Sequence, residues 1–282
     1  MDRRKFLKLS TLAVPGAILA ASAVPAPALA DAPLTNPTTR VLKGFGTSAK
    51  ADLAVKQMLQ LELDWFYTWG KLPALGRPVN DFTPMIWGAS SATPAVITEI
   101  ESNLWKTGST RLLGFNEPDH RDQSNMSVDR ALELWPILEK TKLKLGSPAT
   151  ISPNTPWMND FMTRAFKQGR RVDFVATHIY QSPDAKNFLR KVDELHERWG
   201  KPVWITETAV ADWDATATKP SRYGRTQVNE YLQEIWVGVQ KRSFVERFAW
   251  KTRASVDPTM GSSALFHTDG TITSTGKLYA SF

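Results

Sequence analysis

Two glutamates in this sequence, Glu117 and Glu207, stand where their side chains could take part in chemistry. Each lies just past a run of apolar or small residues. Burying a carboxylate as simple packing is costly without a partner, so such positions favour a functional reading. A pair of carboxyl groups can share the work of cleaving a bond, one as a proton donor and one as a nucleophile. Taken singly, each glutamate could also be an exposed loop carboxylate or a member of an ion pair.

Eight short apolar runs must position these glutamates. They lie at 41–46, 63–69, 82–87, 111–116, 143–147, 172–180, 202–207 and 245–250. Segments with helical spacing lie between most of them, such as the stripe of Phe188, Val192 and Leu195. Eight strands alternating with helices predict an α/β fold, a single (β/α)8 TIM barrel over residues 41–282, in which strand ends face one common cleft.

The connection between the second and third runs departs from this pattern. Residues 70–81 contain Pro73, Gly76 and Pro78, so we expect an incomplete crossover helix there. An open doubly wound sheet is the alternative architecture. It is disfavoured because no glycine-rich phosphate loop follows the first strand.

Carboxyl groups at the ends of two strands of one barrel suit a specific reaction. Cleavage of a glycosidic bond with retention needs one protonated carboxyl and one carboxylate about 5 Å apart. Glu117 ends the fourth predicted strand and Glu207 ends the seventh, so both would face the barrel mouth. The sequence therefore makes this reaction a candidate.

A family resemblance narrows the hypothesis. Asn116-Glu117-Pro118, together with Glu207, resembles the paired signatures of the retaining clan A glycoside hydrolases. An ordered set of motifs resembles, more narrowly, glycoside hydrolase family 128 over residues 41–282. These motifs are Gly-Phe-Gly at 44–46, Tyr-Thr-Trp-Gly at 67–70, Pro-Met-Ile-Trp-Gly at 84–88, Gly-Phe-Asn-Glu-Pro-Asp at 114–119, His-Ile-Tyr at 178–180 and Trp-Ile-Thr-Glu at 204–207.

The resemblance implies an activity and residue roles. Members of the family act on β-1,3-glucans, mostly as endo-acting hydrolases, and some related members bind glucan with little turnover. Glu117 matches the acid/base of a double displacement, and Glu207 matches the nucleophile. Asn116 would lie beside the 2-hydroxyl of the cleaved sugar. Two alternatives remain: a clan A hydrolase of β-1,4 or β-1,6 glucan or mannan, and a glucan-binding protein of the same fold.

Further candidate residues end predicted strands. Tyr180 is placed to hydrogen-bond the nucleophile, and His178 shares its strand face, either as a core histidine or as a substrate contact. Aromatic faces suit the C–H faces of pyranose rings. We therefore assign six residues to substrate binding: Asn116, His178, Tyr180, Trp69, Trp87 and Trp250. Trp157 and Trp213, in or near loops, are left unassigned.

The first 30 residues have the features of an export signal. They contain a basic start, an apolar stretch over 9–24 and the small-x-small ending Ala28-Leu29-Ala30. Arg3-Arg4 followed by Phe6 resembles a twin-arginine signal, with an ordinary secretory signal as the alternative. We predict a signal peptide over 1–30, a flexible leader over 31–40 and a protein exported to the periplasm or the outside of a bacterium. No stable membrane span should remain after cleavage.

Composition excludes other classes. The 282 residues contain no cysteine, which rules out disulfides and thiolate metal sites. Residues 1–30 hold four basic and one acidic side chain, so the net charge of +7 falls to +4 after cleavage. Without a basic stripe we expect no nucleic-acid partner. The four histidines lack metal-ligand spacing. We therefore expect a monomer that needs no metal and no cofactor and whose partner is a polysaccharide substrate, β-glucan.

Overall fold

The computed structural model describes residues 40–73 and 80–282, in which strands and helices alternate. The strands are Leu42–Gly46 (β1), Trp65–Tyr67 (β2), Asp81–Phe82 (β3), Arg111–Leu112 (β4), Lys144–Leu145 (β5), Val175–Gln181 (β6), Val203–Val210 (β7) and Val245–Trp250 (β8). The α-helices are Ala51–Gln60 (α1), Pro94–Ser102 (α2), Leu104–Thr107 (α3), Val128–Leu138 (α4), Pro156–Lys167 (α5), Ala185–Trp199 (α6), Arg225–Gln240 (α7) and Ser274–Ala280 (α8).

All strand pairs are parallel, and their order follows a circle. One sheet has the order β3-β2-β1-β8-β7-β6, and β4 pairs with β5. Single parallel bridges, Met85 to Leu113 and Gly146 to Phe174, connect the β4-β5 pair to its neighbours on either side. Neighbours in space are therefore neighbours in sequence, and β1 also pairs with β8. The predicted α/β barrel fold is confirmed.

The fourth and fifth strands are much shorter than the apolar runs that contain them. Just past β4, the backbone at Gly114 is very close to the neighbouring chain, because a Cβ there would lie 2.8 Å from the carbonyl oxygens of Gly146 and Ser147. The two backbones approach too closely at this point for an ordinary pleat with side chains. The chain resumes pairing at Asn116, which bridges to Ala149. The segment that carries Asn116 is thus held by the adjacent backbone beyond the end of a regular strand.

Apolar side chains pack in two groups on opposite faces of the strands. The larger group, which includes Phe66, lies against the helices, where Leu132, Phe161 and Ile235 are also buried. The smaller group contains Trp65, Tyr67, Met85, Leu113, Phe174, Trp204 and Ala249. Trp65 and Tyr67 flank Phe66 in β2, so alternation places the smaller group on the inner face of the barrel. Side chains at the strand ends stand above this inner layer.

Several predictions concern residues outside the described ranges. The signal peptide over 1–30 and most of the leader over 31–40 belong to this group. In the connection between the second and third strands, residues 70–73 and 80 contain no helix. Residues 74–79 of the same connection lie outside the described ranges. Within the described part of the chain, no helix is both long and apolar enough to cross a membrane.

Candidate active site

Both glutamates line the same cleft at the carboxyl ends of the strands. The cleft has a volume of about 1010 Å³. Its lining is polar at the centre, with Glu117, Glu207 and Asn116, and aromatic around them. The aromatic lining residues are Phe45, Trp69, Trp87, Tyr180 and Trp213. The sequence-based expectation that both carboxyl groups face one cavity is thus met by the geometry.

Glu207 follows an irregularity in β7. Thr177 pairs with Ile205 and His178 pairs with Glu207, so Thr206 is an extra residue on the β7 side. Such a bulge redirects the side chain that follows it. The buried carbonyl of Thr206 accepts a hydrogen bond from the Tyr67 hydroxyl at 3.0 Å. The bulge therefore helps to aim the Glu207 carboxyl into the cleft.

The Glu207 carboxylate is surrounded by donors. Oε1 accepts hydrogen bonds from the Trp69 indole at 2.8 Å and from the Tyr67 hydroxyl at 3.1 Å. Oε2 accepts a short hydrogen bond from the Tyr180 hydroxyl, and the Lys251 Nζ lies 3.4 Å away. These contacts come from three separate strands or strand ends, so they fix both the position and the rotation of the carboxylate.

These neighbours favour the ionised form of Glu207. Burial alone would raise the pKa of this carboxyl group. The charges of His178 and Lys251, with the hydrogen bonds from Tyr180 and Trp69, outweigh burial and lower its pKa to about 2. An ionised carboxylate held in a partly enclosed cleft is chemically suited to act as a nucleophile.

Glu117 is positioned by an unusual backbone. Its φ of 42° lies in the left-handed region that non-glycine residues seldom adopt. The backbone is held there because the Glu117 N–H donates to the Ala149 carbonyl at 2.7 Å and the Glu117 carbonyl accepts from the His120 N–H at 3.0 Å. Strained residues of this kind cluster at functional sites. The observed strain is consistent with a side chain that must occupy a specific place in the cleft.

His178 lies between the two glutamates. Its Nδ1 is 2.7 Å from Glu117 Oε1, and its Nε2 is 3.6 Å from Glu207 Oε1. The ring has no exposed surface. Burial lowers the pKa of His178, whereas the carboxylates of Glu207 and Glu117 raise it above its usual value. The prediction of a direct substrate contact is therefore wrong: this ring supports the glutamates from beneath the cleft surface.

Tyr67 and Trp69 can reach Glu207 because the last residue of β1, Gly46, has no side chain. A Cβ at Gly46 would lie 2.8 Å from the Tyr67 ring and 2.9 Å from the Trp69 ring. The two rings pack edge to face, with centroids 5.0 Å apart. Trp69 also has a positive φ of 55°. A glycine at the end of β1 is thus required by the aromatic pair that holds the carboxylate.

The remaining assignments divide into two groups. Asn116, Tyr180, Trp69 and Trp87 line the cleft as expected. The Asn116 amide nitrogen also donates to Gln123 Oε1 at 3.2 Å. Trp250 does not reach the cleft, so the prediction that it binds substrate is wrong. Its side chain is fully buried, faces Tyr231 on α7, and donates its indole N–H to the Ser263 carbonyl at 2.9 Å.

Three residues of the cleft were missed or left unassigned. Tyr67 lies two residues before Trp69 and so on the same strand face, a spacing that could have indicated it. Lys251 directly follows Trp250, and alternation along β8 brings the lysine into the cleft while Trp250 faces the helices. Trp213 is 66% exposed and lines the rim. Trp157 instead stacks on Phe161 within the core region.

No group of three or more His, Asp or Glu side chains within residues 40–73 and 80–282 is arranged to hold a metal ion. The side chains that line the cleft offer carboxyl, hydroxyl, amide, ammonium, guanidinium and imidazole groups. A parallel barrel whose cleft holds paired carboxyl groups among aromatic side chains is typical of a glycoside hydrolase.

Comparisons with known proteins agree with this class. The family described as glycosyl hydrolase catalytic core matches residues 44–279. One similar solved structure is a subgroup I endo-β-1,3-glucanase of glycoside hydrolase family 128 from Amycolatopsis mediterranei, in complex with laminaritriose. It is 31% identical to this chain with a TM-score of 0.74, and the match covers 86% of this chain and 99% of that chain. A subgroup II endo-β-1,3-glucanase from Sorangium cellulosum is 26% identical with a TM-score of 0.71, covering 85% and 98%.

A curated relative is longer. Alkali-sensitive linkage protein 1 of Schizosaccharomyces pombe is 26% identical over 235 residues, which is 78% of this chain. The chain spans 40% of the length of that relative. Taken with the structural matches, these findings show that the chain belongs to the glycosyl hydrolase catalytic core family and, within it, to glycoside hydrolase family 128. Its fold and its family are those of the glycoside hydrolases.

Proposed function

We propose that the protein is an endo-acting hydrolase of β-1,3-glucan that works by a retaining double displacement. Glu207 is the nucleophile and Glu117 the acid/base. The observation that carries this proposal is the placement of both carboxyl groups against one buried imidazole, that of His178, in a cleft large enough for a polysaccharide segment. The solved relatives of subgroups I and II, which are endo-β-1,3-glucanases, support the choice of linkage.

In the first step, Glu207 attacks the anomeric carbon while Glu117 gives its proton to the leaving oxygen. The bond to the leaving group breaks as the ester bond to Glu207 forms. Three hydrogen bonds already orient the Glu207 carboxylate, so little reorganisation is needed at the moment of attack. Positive charge grows on the sugar ring in the transition state, and in this proposal Asn116, which lines the cleft, contacts the ring hydroxyls.

In the second step, the Glu117 carboxylate takes a proton from water, and the water oxygen attacks the anomeric carbon. The ester bond breaks, and its electron pair returns to Glu207 as a carboxylate. The same donors that orient Glu207 stabilise this charge when it reappears. Trp87 offers a partly exposed aromatic face in the cleft for an adjacent glucose unit.

Hydrolysis of laminarin by the purified protein tests the proposal. We expect oligosaccharides from laminarin, with loss of release in Glu117→Gln and Glu207→Gln. Glu133→Gln is the matched control, since Glu133 is an exposed residue on the outer helix α4. Products released only from cellulose-type or mannan substrates would show that the protein cleaves a linkage other than β-1,3. Binding of laminarin without any release of reducing ends would show that the protein binds glucan without hydrolysing it.

The stereochemistry of the product tests the mechanism separately. Proton NMR recorded within the first minutes of hydrolysis shows which anomer is released before mutarotation. We expect the β-anomer, because two displacements restore the original configuration. An initial α-anomer would indicate inversion and would overturn the assignment of Glu207 as a nucleophile.

We also propose that the protein is exported by the twin-arginine route. The proposal rests on Arg3-Arg4 and the apolar stretch that follows. Cell fractionation after the change Arg3→Lys with Arg4→Lys is the test. Retention of the precursor in the cytoplasm is expected, whereas unchanged export would favour an ordinary secretory signal.

A further inference from the structure

Lys251 is the residue of the cleft whose place the reaction scheme leaves unexplained. It follows the last residue of β8, and its backbone N–H donates to the Thr208 carbonyl at 2.8 Å. Its Nζ lies 3.4 Å from Glu207 Oε2 and 3.8 Å from the centre of the Trp69 ring. The side chain is only 19% exposed. A largely buried ammonium needs a counter-charge, and Glu207 is the carboxylate within 4 Å of it in the described part of the chain.

Lys251, Trp69 and Glu207 form a closed set of contacts. The Trp69 indole donates its N–H to Glu207 and presents its face to the Lys251 ammonium. An ammonium over an indole face is attracted by the negative charge of the ring face. The ammonium therefore contacts both the carboxylate and the ring that orients it.

The charged and titratable groups around Glu207 show why Lys251 matters. Tyr67 from β2 and Tyr180 from β6 are neutral donors, and burial raises the pKa of each hydroxyl. Glu117 carries a negative charge, as Glu207 does, when it is ionised. His178 contacts both glutamates, so it is not a partner of Glu207 alone.

Among the described residues, the only cation paired with Glu207 alone is Lys251. Arg253, the next nearby cation, lies 3.8 Å from Asp257.

We propose that Lys251 is a positioning residue that keeps Glu207 ionised in acid and holds the Trp69 indole against it. The inference rests on the proposed role of Glu207 as nucleophile. It predicts that the charge of Lys251, more than its shape, sets the pH at which the enzyme loses its nucleophile by protonation. The opposed effects of burial and of nearby cations on the pKa of Glu207 agree with this role.

The test compares Lys251→Met, which keeps the unbranched stem, with Lys251→Arg, which keeps the charge. The acid limb of the pH profile of kcat/KM reports protonation of the free enzyme's nucleophile. An adjacent positive charge lowers the pKa of a carboxyl group by about one unit or more. Without the Lys251 cation, we therefore expect the acid limb to move to higher pH by about that amount. Lys251→Arg should keep the limb near its wild-type position.

A control and a direct titration complete the experiment. Lys191→Met removes a lysine of α6 that donates to the Gln181 side chain and lies outside the cleft lining, so it should leave the profile unchanged. The Glu207 carboxyl can be followed by ¹³C NMR in glutamate-labelled protein without substrate, with the resonance assigned by its loss in Glu207→Gln. Near-ultraviolet circular dichroism over the same pH range shows whether each variant stays folded.

The outcomes separate the two proposals. A Glu207 resonance that titrates at higher pH in Lys251→Met than in the wild type supports the inference, even if laminarin is not hydrolysed and the proposed function fails. An unchanged titration and an unchanged acid limb in Lys251→Met overturn the inference, even if the wild type hydrolyses laminarin. An acid limb that moves equally in Lys251→Arg also overturns it, because shape would then matter more than charge.

Discussion

The indole N–H of Trp69 donates a hydrogen bond to Glu207 Oε1 at 2.8 Å, so this tryptophan is a support for a carboxylate as well as part of the cleft wall. Its sequence position at the end of a strand predicts a platform for sugar stacking. One of its faces is instead covered by the Lys251 ammonium at 3.8 Å. The N–H at the edge of the ring makes the contact with Glu207.

Trp69→Phe tests this role, because it keeps an aromatic ring and removes the N–H. A hydrogen bond to a charged group contributes about 1.5–3 kcal/mol, so kcat should fall by about 10- to 100-fold. KM for laminari-oligosaccharides should change little. Steady-state kinetics with one oligosaccharide of fixed length provides the measurement. A large rise in KM with kcat unchanged would instead identify Trp69 as a sugar platform.

Gly46→Ala tests the space that β1 leaves for the aromatic pair. The new methyl group would lie within 3 Å of the Tyr67 and Trp69 rings, which donate hydrogen bonds to Glu207, so these rings or the β1 backbone must shift. We expect kcat/KM to fall by about tenfold or more, given the sensitivity of catalysis to small displacements. Gly224→Ala is the control, since nothing lies within 4 Å of an added Cβ there. Equal kinetics for both variants would contradict this account of the glycine.

Trp250 and Trp87 should respond to truncation in opposite ways. Trp250 is fully buried, so Trp250→Ala should lower the free energy of unfolding by about 3–5 kcal/mol. Trp87 is partly exposed in the cleft, and Trp87→Ala should cost much less stability while weakening binding of glucan. Denaturant unfolding and affinity electrophoresis in laminarin gels measure the two effects. A stable Trp250→Ala variant with weakened glucan binding would restore the original assignment of Trp250.

Trp213 should contribute to binding of longer substrates only. Arg222 forms ion pairs with Asp212 and Asp214 on either side of Trp213, and the exposed indole lies at the cleft rim. We expect Trp213→Ala to reduce kcat/KM for long oligosaccharides by about 3- to 10-fold, matching about 0.5–1.5 kcal/mol for an aromatic contact. Trp105→Ala, which alters an exposed tryptophan outside the cleft lining, is the control. A similar loss with the shortest substrates would argue against a distant contact.

Sequence patterns predicted the strands, the helices and the positions of the two glutamates. They predicted less of the side chains that contact the two glutamates. Apolar runs reveal strands because each run must be buried, and a carboxylate at a strand end stands out against that background. The face on which a strand-end residue lies is harder to infer. At the end of β8, a difference of one residue decides whether Trp250 or Lys251 enters the cleft.

Other features depended on long-range packing. The extra residue Thr206 in β7 is defined only against its partner strand β6, so local sequence carries no mark of it. The positive φ of Glu117 likewise depends on a backbone contact with Ala149, more than 30 positions away. These two features place the candidate nucleophile and the candidate acid/base, and neither follows from periodicity.

A retaining double displacement requires a covalent bond between Glu207 and the substrate. Incubation with a 2-deoxy-2-fluoro-laminaribiosyl fluoride slows the second displacement, and mass spectrometry of protease fragments then locates the attached sugar. We expect one added fluoro-disaccharide on the fragment that contains Glu207, and none on Glu207→Gln. A label on the fragment that contains Glu117, or turnover of the fluoride with inversion and without any label, would contradict the assignment of Glu207 as the nucleophile.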